Sequence, residues 1–143
     1  MSHARISSCT LIGGRPIRVE VEIHVGAGLP TVQLVGLADT EVREARERVR
    51  CAITHAGLPF PNNRRITVNL APADLPKDSG RFDLPIALAL MAAMGVIAPD
   101  ALDGWAAIGE LGLEGQIARV GGALPAAVAA DAMNAVTGVG APS

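Results

Sequence analysis

The densest chemistry in the chain lies between Asp74 and Asp83, where Asp74, Lys77, Asp78 and Asp83 put three carboxylates and an amine on one short stretch. Carboxylates this close in sequence can share a proton for acid–base work or hold a hard cation through oxygen. The same residue types also serve loops and helix starts, and Asp74 suits a turn while Asp83 suits an N-cap. Ser79 adds a hydroxyl to the stretch. A serine nucleophile needs a base within hydrogen-bond reach, and Lys77 two residues away does not by itself make a Ser–Lys pair.

A second group is cationic. Arg43, Arg46, Arg48 and Arg50 alternate with Glu41, Glu44 and Glu47, and Arg64 and Arg65 follow further on. Glu44 with Arg48 and Arg43 with Glu47 have the i,i+4 spacing of helical ion pairs. A mixed-sign face of this kind is either a solvated, salt-bridged helix surface or a contact surface, and its mixed sign favours a protein partner over DNA. The histidines, His3, His24 and His55, have no zinc-ligand spacing and read as solvated side chains, with His24 on the polar face of a strand. Cys9 and Cys51 have neither metal nor disulfide-framework spacing and read as free thiols in a reducing cytoplasm. The phosphate-loop pattern GxxxxGK[ST] occurs nowhere in the sequence, so no nucleotide cradle is expected in it.

These residues need a scaffold, and the hydrophobic pattern supplies one. Ile17, Val19, Val21, Ile23 and Val25 alternate with Arg18, Glu20, Glu22 and His24, which predicts a strand with one buried face. Arg5–Ile12 is its expected partner across the turn residues Gly13 to Pro16. Thr31–Val35 and Arg65–Leu70 are predicted as further strands. Between them Asp39 or Thr40 opens a helix to about Ala56, with Val42, Ala45, Val49, Ala52, Ile53 and Ala56 on one stripe and Gly57 as its stop. Asp83 is predicted to cap a second helix over Leu84 to Met94, apolar all round and therefore central. Trp105–Leu111 and Gln116–Val120 read as a hairpin, and a last helix is predicted from about Ala123 to Met133.

Composition supports a folded domain. The 143 residues are half hydrophobic and only 18% charged, which is wrong for a disordered chain. The core must be aliphatic, because there are two Phe, one Trp and no Tyr, and so few rings give little platform for stacking bases. The net charge of −2 is unlike that of a phosphate-binding module. No secretory signal is visible, and the apolar run Leu84–Ala98 is shorter than the ~20 residues needed to span a bilayer. A cytoplasmic protein without membrane partners is expected.

The stretch from Val35 to Ile97, VGLADTEVREARERVRCAITHAGLPFPNNRRITVNLAPADLPKDSGRFDLPIALALMAAMGVI, closely resembles the N-terminal domain of the ComM/YifB family, magnesium-chelatase-like bacterial AAA+ ATPases. Gly109–Ala130, GELGLEGQIARVGGALPAAVAA, resembles the same family. The resemblance implies a Lon-protease-type domain. Pro76-Lys77-Asp78 then matches the Lon loop that leads to the nucleophilic serine, and Phe82 falls at the serine's place. Gly121-Gly122 matches the Gly pair before the Lon lysine, and Leu124 falls at the lysine's place. Neither side chain can supply the hydroxyl or the amine of a Ser–Lys mechanism, so the resemblance implies a module without catalytic residues.

The expected architecture is thus α+β, a two-layer Lon-protease-type domain with a mixed sheet of about four to six strands on two to three helices. Residues 1–136 form the domain, cut short at its C-terminal end, and 137–143 a flexible tail that need not be native. No catalytic, cofactor or metal residues are expected in the chain; ATP and Mg would belong to the family's motor, which forms a hexameric ring. The expected function is an interaction or assembly domain whose partners are that motor, neighbouring subunits and, through the whole protein, DNA in recombination and natural transformation. The expected contact surface is Arg43, Arg46, Arg50, Arg64, Arg65, Asp74, Lys77 and Asp83. Two rivals remain: a divergent hydrolase using Ser79 with Lys77 or Asp83, and direct nucleic-acid binding through the five arginines.

Overall fold

The computed structural model describes residues 2–13, 15–36, 39–73, 80–113, 117–118 and 135–137. The chain begins with two long antiparallel strands, β1 (Ser2–Ile12) and β2 (Arg15–Gly26), joined by a tight turn. Then follow β3 (Thr31–Val35), helix α1 (Asp39–His55), β4 (Arg65–Ala71), helix α2 (Asp83–Ala93) and a 3-10 turn at Pro99–Leu102. Four short strands complete the described residues: β5 (Ala106–Ile108), β6 (Glu110–Leu111), β7 (Ile117–Ala118) and β8 (Ala135–Thr137).

Six of the strands form one mixed sheet in the order β3-β4-β2-β1-β5-β8, and β6 and β7 pair as a separate antiparallel ribbon. The pairing follows the alternation of residue types. Ala4 lies opposite Ile23 and Ile6 opposite Val21 in one register, while Ile66, Val68 and Leu70 of β4 meet Val25, Ile23 and Val21 from the other side. All eight residues are buried on one face of the sheet. The opposite face carries Arg5, Ser7, Arg18, Glu20, Glu22 and His24, so β2 is apolar toward one layer and polar toward the other. On that polar face His24 stacks on His3 across the strand pair, with ring centroids 5.6 Å apart.

Both helices cover the apolar face. In α1, Ala45, Val49, Ala52 and Ile53 turn inward, the stripe expected from their spacing. The helix stops where Gly57 takes a left-handed φ of 78°. Its amide donates to the Thr54 carbonyl and the Leu58 amide reaches back to Ile53, which satisfies carbonyls that the helix leaves open. In α2, nine of the eleven residues are buried, as its apolar sequence requires. The result is a two-layer α+β domain with an aliphatic core of sheet and helices.

Four expectations are corrected. β1 starts at Ser2 rather than Arg5, because β2 offers partners as far as Val25. Trp105–Leu111 is not one strand: Ala106–Ile108 joins the large sheet beside β1, and after Gly109 the chain turns away so that Glu110–Leu111 pairs with Ile117–Ala118. Thr137, expected to begin a flexible tail, lies in β8 opposite Ile108. Asp83 is the first residue of α2 and not its cap; Phe82 holds the cap position and makes no side-chain cap hydrogen bond. The helix expected over Ala123–Met133 lies outside the described residues.

Candidate functional site

The start of α2 is tied by backbone hydrogen bonds to a segment distant in sequence. The Gly109 amide donates to the Arg81 carbonyl at 2.9 Å, and the Leu84 amide donates to the Gly109 carbonyl at 2.9 Å. Residues 81 to 84 are therefore clamped to the segment between β5 and β6 in both directions. Phe82 is only 2% exposed, and its ring fills the core beneath the helix start.

Asp83 is 1% exposed, and a buried carboxylate is stable only with charge and hydrogen-bond partners. It has three. Arg48 Nε donates to Oδ2 at 2.6 Å, Arg48 Nη2 donates to Oδ1 at 3.3 Å, and the Leu111 amide donates to Oδ2 at 3.1 Å. The carboxylate thus ties α1, α2 and β6 together at one point. Burial pushes the Asp83 carboxyl above its ordinary range, against the pull of Arg48 and the Leu111 amide, and Glu110 adds to the push. Burial draws the Arg48 guanidinium down, but Asp83 outweighs it with help from Glu110 and Glu44, and the net direction is up. Glu44 reaches Arg48 at 3.6 Å, the i,i+4 pair that the sequence predicts.

Glu110 approaches the same corner from β6. Gly80 lies against its carboxylate with a φ of 90°, and a Cβ at that position would overlap the Glu110 side chain. Only a residue without a side chain permits that approach at that φ.

Sequence reasoning identified Asp83 and Phe82 here, read Arg48 only as the partner of Glu44, and passed over Arg81 and Glu110. Arg48 did carry a signal. It lies three residues after Ala45 and four before Ala52, on the flank of the buried stripe, where an arginine partly withdrawn from water is stabilised by an acid within reach. Asp74, Lys77, Asp78, Ser79 and Leu124 lie outside the described residues. Among the described residues, no three His, Cys, Asp or Glu side chains are grouped as a metal site would need.

The five arginines of the expected contact surface divide. Arg46, Arg50 and Arg64 line one groove, between α1 and the segment that leads into β4. Arg65, at the start of β4, donates to Gln33 Oε1 at 3.4 Å. Arg43 is exposed elsewhere on α1, and the Arg43–Glu47 pair suggested by spacing is replaced, because Glu47 accepts from Arg50 and from the Cys51 thiol. Those interactions, the Arg50 hydrogen bond first, hold the Glu47 carboxyl below its usual value.

A two-layer α+β domain with a buried arginine–aspartate clamp at the start of its central helix is the class that fold and site define. The family model described as subunit ChlI of Mg-chelatase matches residues 21–140, and the chain belongs to that family. It is 45% identical to YifB of Escherichia coli (strain K12) over 130 residues, 91% of this chain and 26% of that protein. It is also 45% identical to the competence protein ComM of Haemophilus influenzae over 130 residues, 91% of this chain and 25% of ComM. An uncharacterised protein of Mycobacterium tuberculosis (strain H37Rv) is 41% identical over 112 residues. The chain is thus a ComM/YifB-family sequence that spans about a quarter of the length of these relatives. Among the described residues, no helix is long and apolar enough to cross a membrane.

Proposed function

We propose that this chain is a non-catalytic interaction and assembly domain of a ComM-like AAA+ ATPase, built on a Lon-protease-type frame. One observation carries the reading. The helix start where that frame would present a nucleophile holds a benzyl ring, Phe82, sealed at 2% exposure, and the adjoining carboxylate of Asp83 is fully engaged by Arg48 and the Leu111 amide. A nucleophile must meet its substrate and a general base must be free to take a proton. Phe82 can do neither, and Asp83 is committed to holding three elements together.

In this reading ATP and Mg are bound by the motor of the whole protein, in a hexameric ring that acts on DNA during recombination or transformation. The family membership and the likeness to a protein named for competence support that assignment. The domain positions neighbouring subunits, the motor or a partner. The purified chain is expected to release no phosphate from ATP and to take no label from a serine-reactive phosphonate. Robust ATP turnover, or labelling that disappears in Ser79→Ala, would falsify the reading and restore a hydrolase.

A further inference from the structure

The groove between α1 and the segment before β4 has a volume of about 280 Å³ and is unusual in the balance of its hydrogen-bonding groups. Arg46 and Arg50 stand one helical turn apart on α1, and Arg64 lines the groove from the segment before β4. Arg46 and Arg64 are exposed and have no ion-pair partner among the described residues; Arg50 shares its guanidinium with Glu47. Thr31 and Asn62 add a hydroxyl and an amide, and Pro30, Val32, Phe60 and Pro61 make up the apolar part of the lining. No carboxylate lines the groove, although the chain as a whole carries a net charge of −2. Cations are therefore concentrated here against the overall charge.

We propose that this groove binds the phosphodiester backbone of a nucleic acid. The lining offers N–H and O–H donors and few acceptors, so it fits a ligand whose charged face only accepts. A phosphodiester presents acceptor oxygens alone, and a guanidinium can meet two of them at once. An acidic peptide also carries backbone N–H donors, for which these side chains provide little. With one aromatic ring the groove grips backbone rather than reading bases, so binding is independent of sequence and steeply dependent on salt. This inference stands on the groove alone and holds whether or not the helix start is catalytic.

The test is fluorescence anisotropy on the purified chain with a labelled oligothymidylate, a labelled duplex of random sequence and a labelled oligoglutamate, between about 50 and 200 mM salt. Wild type is expected to bind nucleic acid at the low-salt end and to release it at the high end. Arg46→Ala/Arg64→Ala is expected to weaken binding about tenfold at low salt, with a log–log salt slope for the single strand shallower by about 1.4, or about 0.7 for each phosphate that is no longer neutralised. Arg5→Ala/Arg15→Ala removes the same charge from outside the groove and is expected to change affinity by less than about twofold. Preference for the oligothymidylate assigns the groove to single strands and preference for the duplex to double strands; either result supports the proposal. The proposal is overturned if neither nucleic acid binds, if oligoglutamate binds as tightly, or if both double variants weaken binding equally. Far-ultraviolet circular dichroism melts show whether the variants remain folded.

Discussion

Arg48 and Asp83 are 35 residues apart in sequence, yet the Arg48 Nε lies 2.6 Å from the Asp83 Oδ2, with the arginine side chain 17% exposed and the aspartate 1%. The pair joins the only two α-helices among the described residues. Removing one member leaves a buried charge unmatched. Arg48→Met is expected to cost about 3 kcal/mol, the low end of the usual range because Arg48 keeps some contact with water. Asp83→Leu should cost less, since the freed guanidinium can turn toward Glu44. Arg48→Met/Asp83→Leu should be more stable than Arg48→Met alone, although the Leu111 amide then lacks its acceptor at a cost of about 1–3 kcal/mol. Urea unfolding midpoints at constant m-value measure all three. Simple additivity of the two single losses would show that the pair is not a unit.

Phe82→Ser tests the proposed Lon-type frame at the position where such a frame would carry its nucleophile. The new hydroxyl would stand at the helix start, but the ring it replaces is buried in the core. A loss of about 3–5 kcal/mol is expected from the reduced burial and the cavity. No label from a serine-reactive phosphonate is expected, because Asp83 remains held by Arg48. Thermal unfolding and labelling, read on the same sample, check both parts.

Gly80→Ala combines two penalties at one site. A φ of 90° strains any residue with a Cβ, and the new methyl meets the Glu110 carboxylate. The expected destabilisation is about 1–3 kcal/mol. Glu110→Ala in the same background should recover the steric part and leave the conformational part, so the double variant should lie between Gly80→Ala and wild type in chemical denaturation.

Cys9 gives the fold an alkaline limit. Burial pushes its thiol above the ordinary value, with Arg18 and Arg81 pulling back. A group whose folded pKa is raised contributes stability that is complete below its unfolded pKa, about 8.5 for a thiol, and lost as pH rises through the folded value. Wild type should therefore lose stability faster than Cys9→Ala as the pH is raised beyond that point, measured by urea midpoints along the pH series. In the native protein iodoacetamide should modify the half-buried Cys51 before the buried Cys9. Equal rates would contradict the placement of Cys9.

The alternation in β2 and the stripe in α1 were legible because each is local: Val19, Val21, Ile23, Ala45 and Val49 declare their faces within a few residues. The place of β3 was legible for the same reason, because the turn residues between Gly26 and Pro30 come directly before it. The site was less so. Asp83 looks like a cap because an aspartate before an apolar run usually is one, and its true partners come from 35 residues upstream and 28 downstream. The division of Trp105–Leu111 at Gly109 was hidden for a similar reason. The apolar pattern continues through it, and only the backbone bonds of Gly109 to Arg81 and Leu84 turn the chain out of the sheet. The arginine groove was legible in part: the sequence placed Arg43, Arg46, Arg50, Arg64 and Arg65 on one surface, but only Arg46, Arg50 and Arg64 line the groove, because the selection depends on how the helix and the segment before β4 face each other.

In the sheet, β1 lies between β2 and β5, and the Ser8 hydroxyl donates across 99 residues to the Ala107 carbonyl at 2.7 Å. During synthesis β1 precedes its sheet neighbour β5 by some hundred residues, and the edge that takes β5 has no neighbour until residue 106 follows. Closing so wide a separation is slow compared with forming the β1–β2 hairpin. For that interval the nascent chain leaves open the edge of β1 around Ser7, the residue that meets Ala106 in the finished sheet, and such an open edge is the kind on which chains aggregate. The residues that complete the sheet therefore also protect the chain while it is being made, and fragments ending before Ala106 should self-associate while longer ones do not.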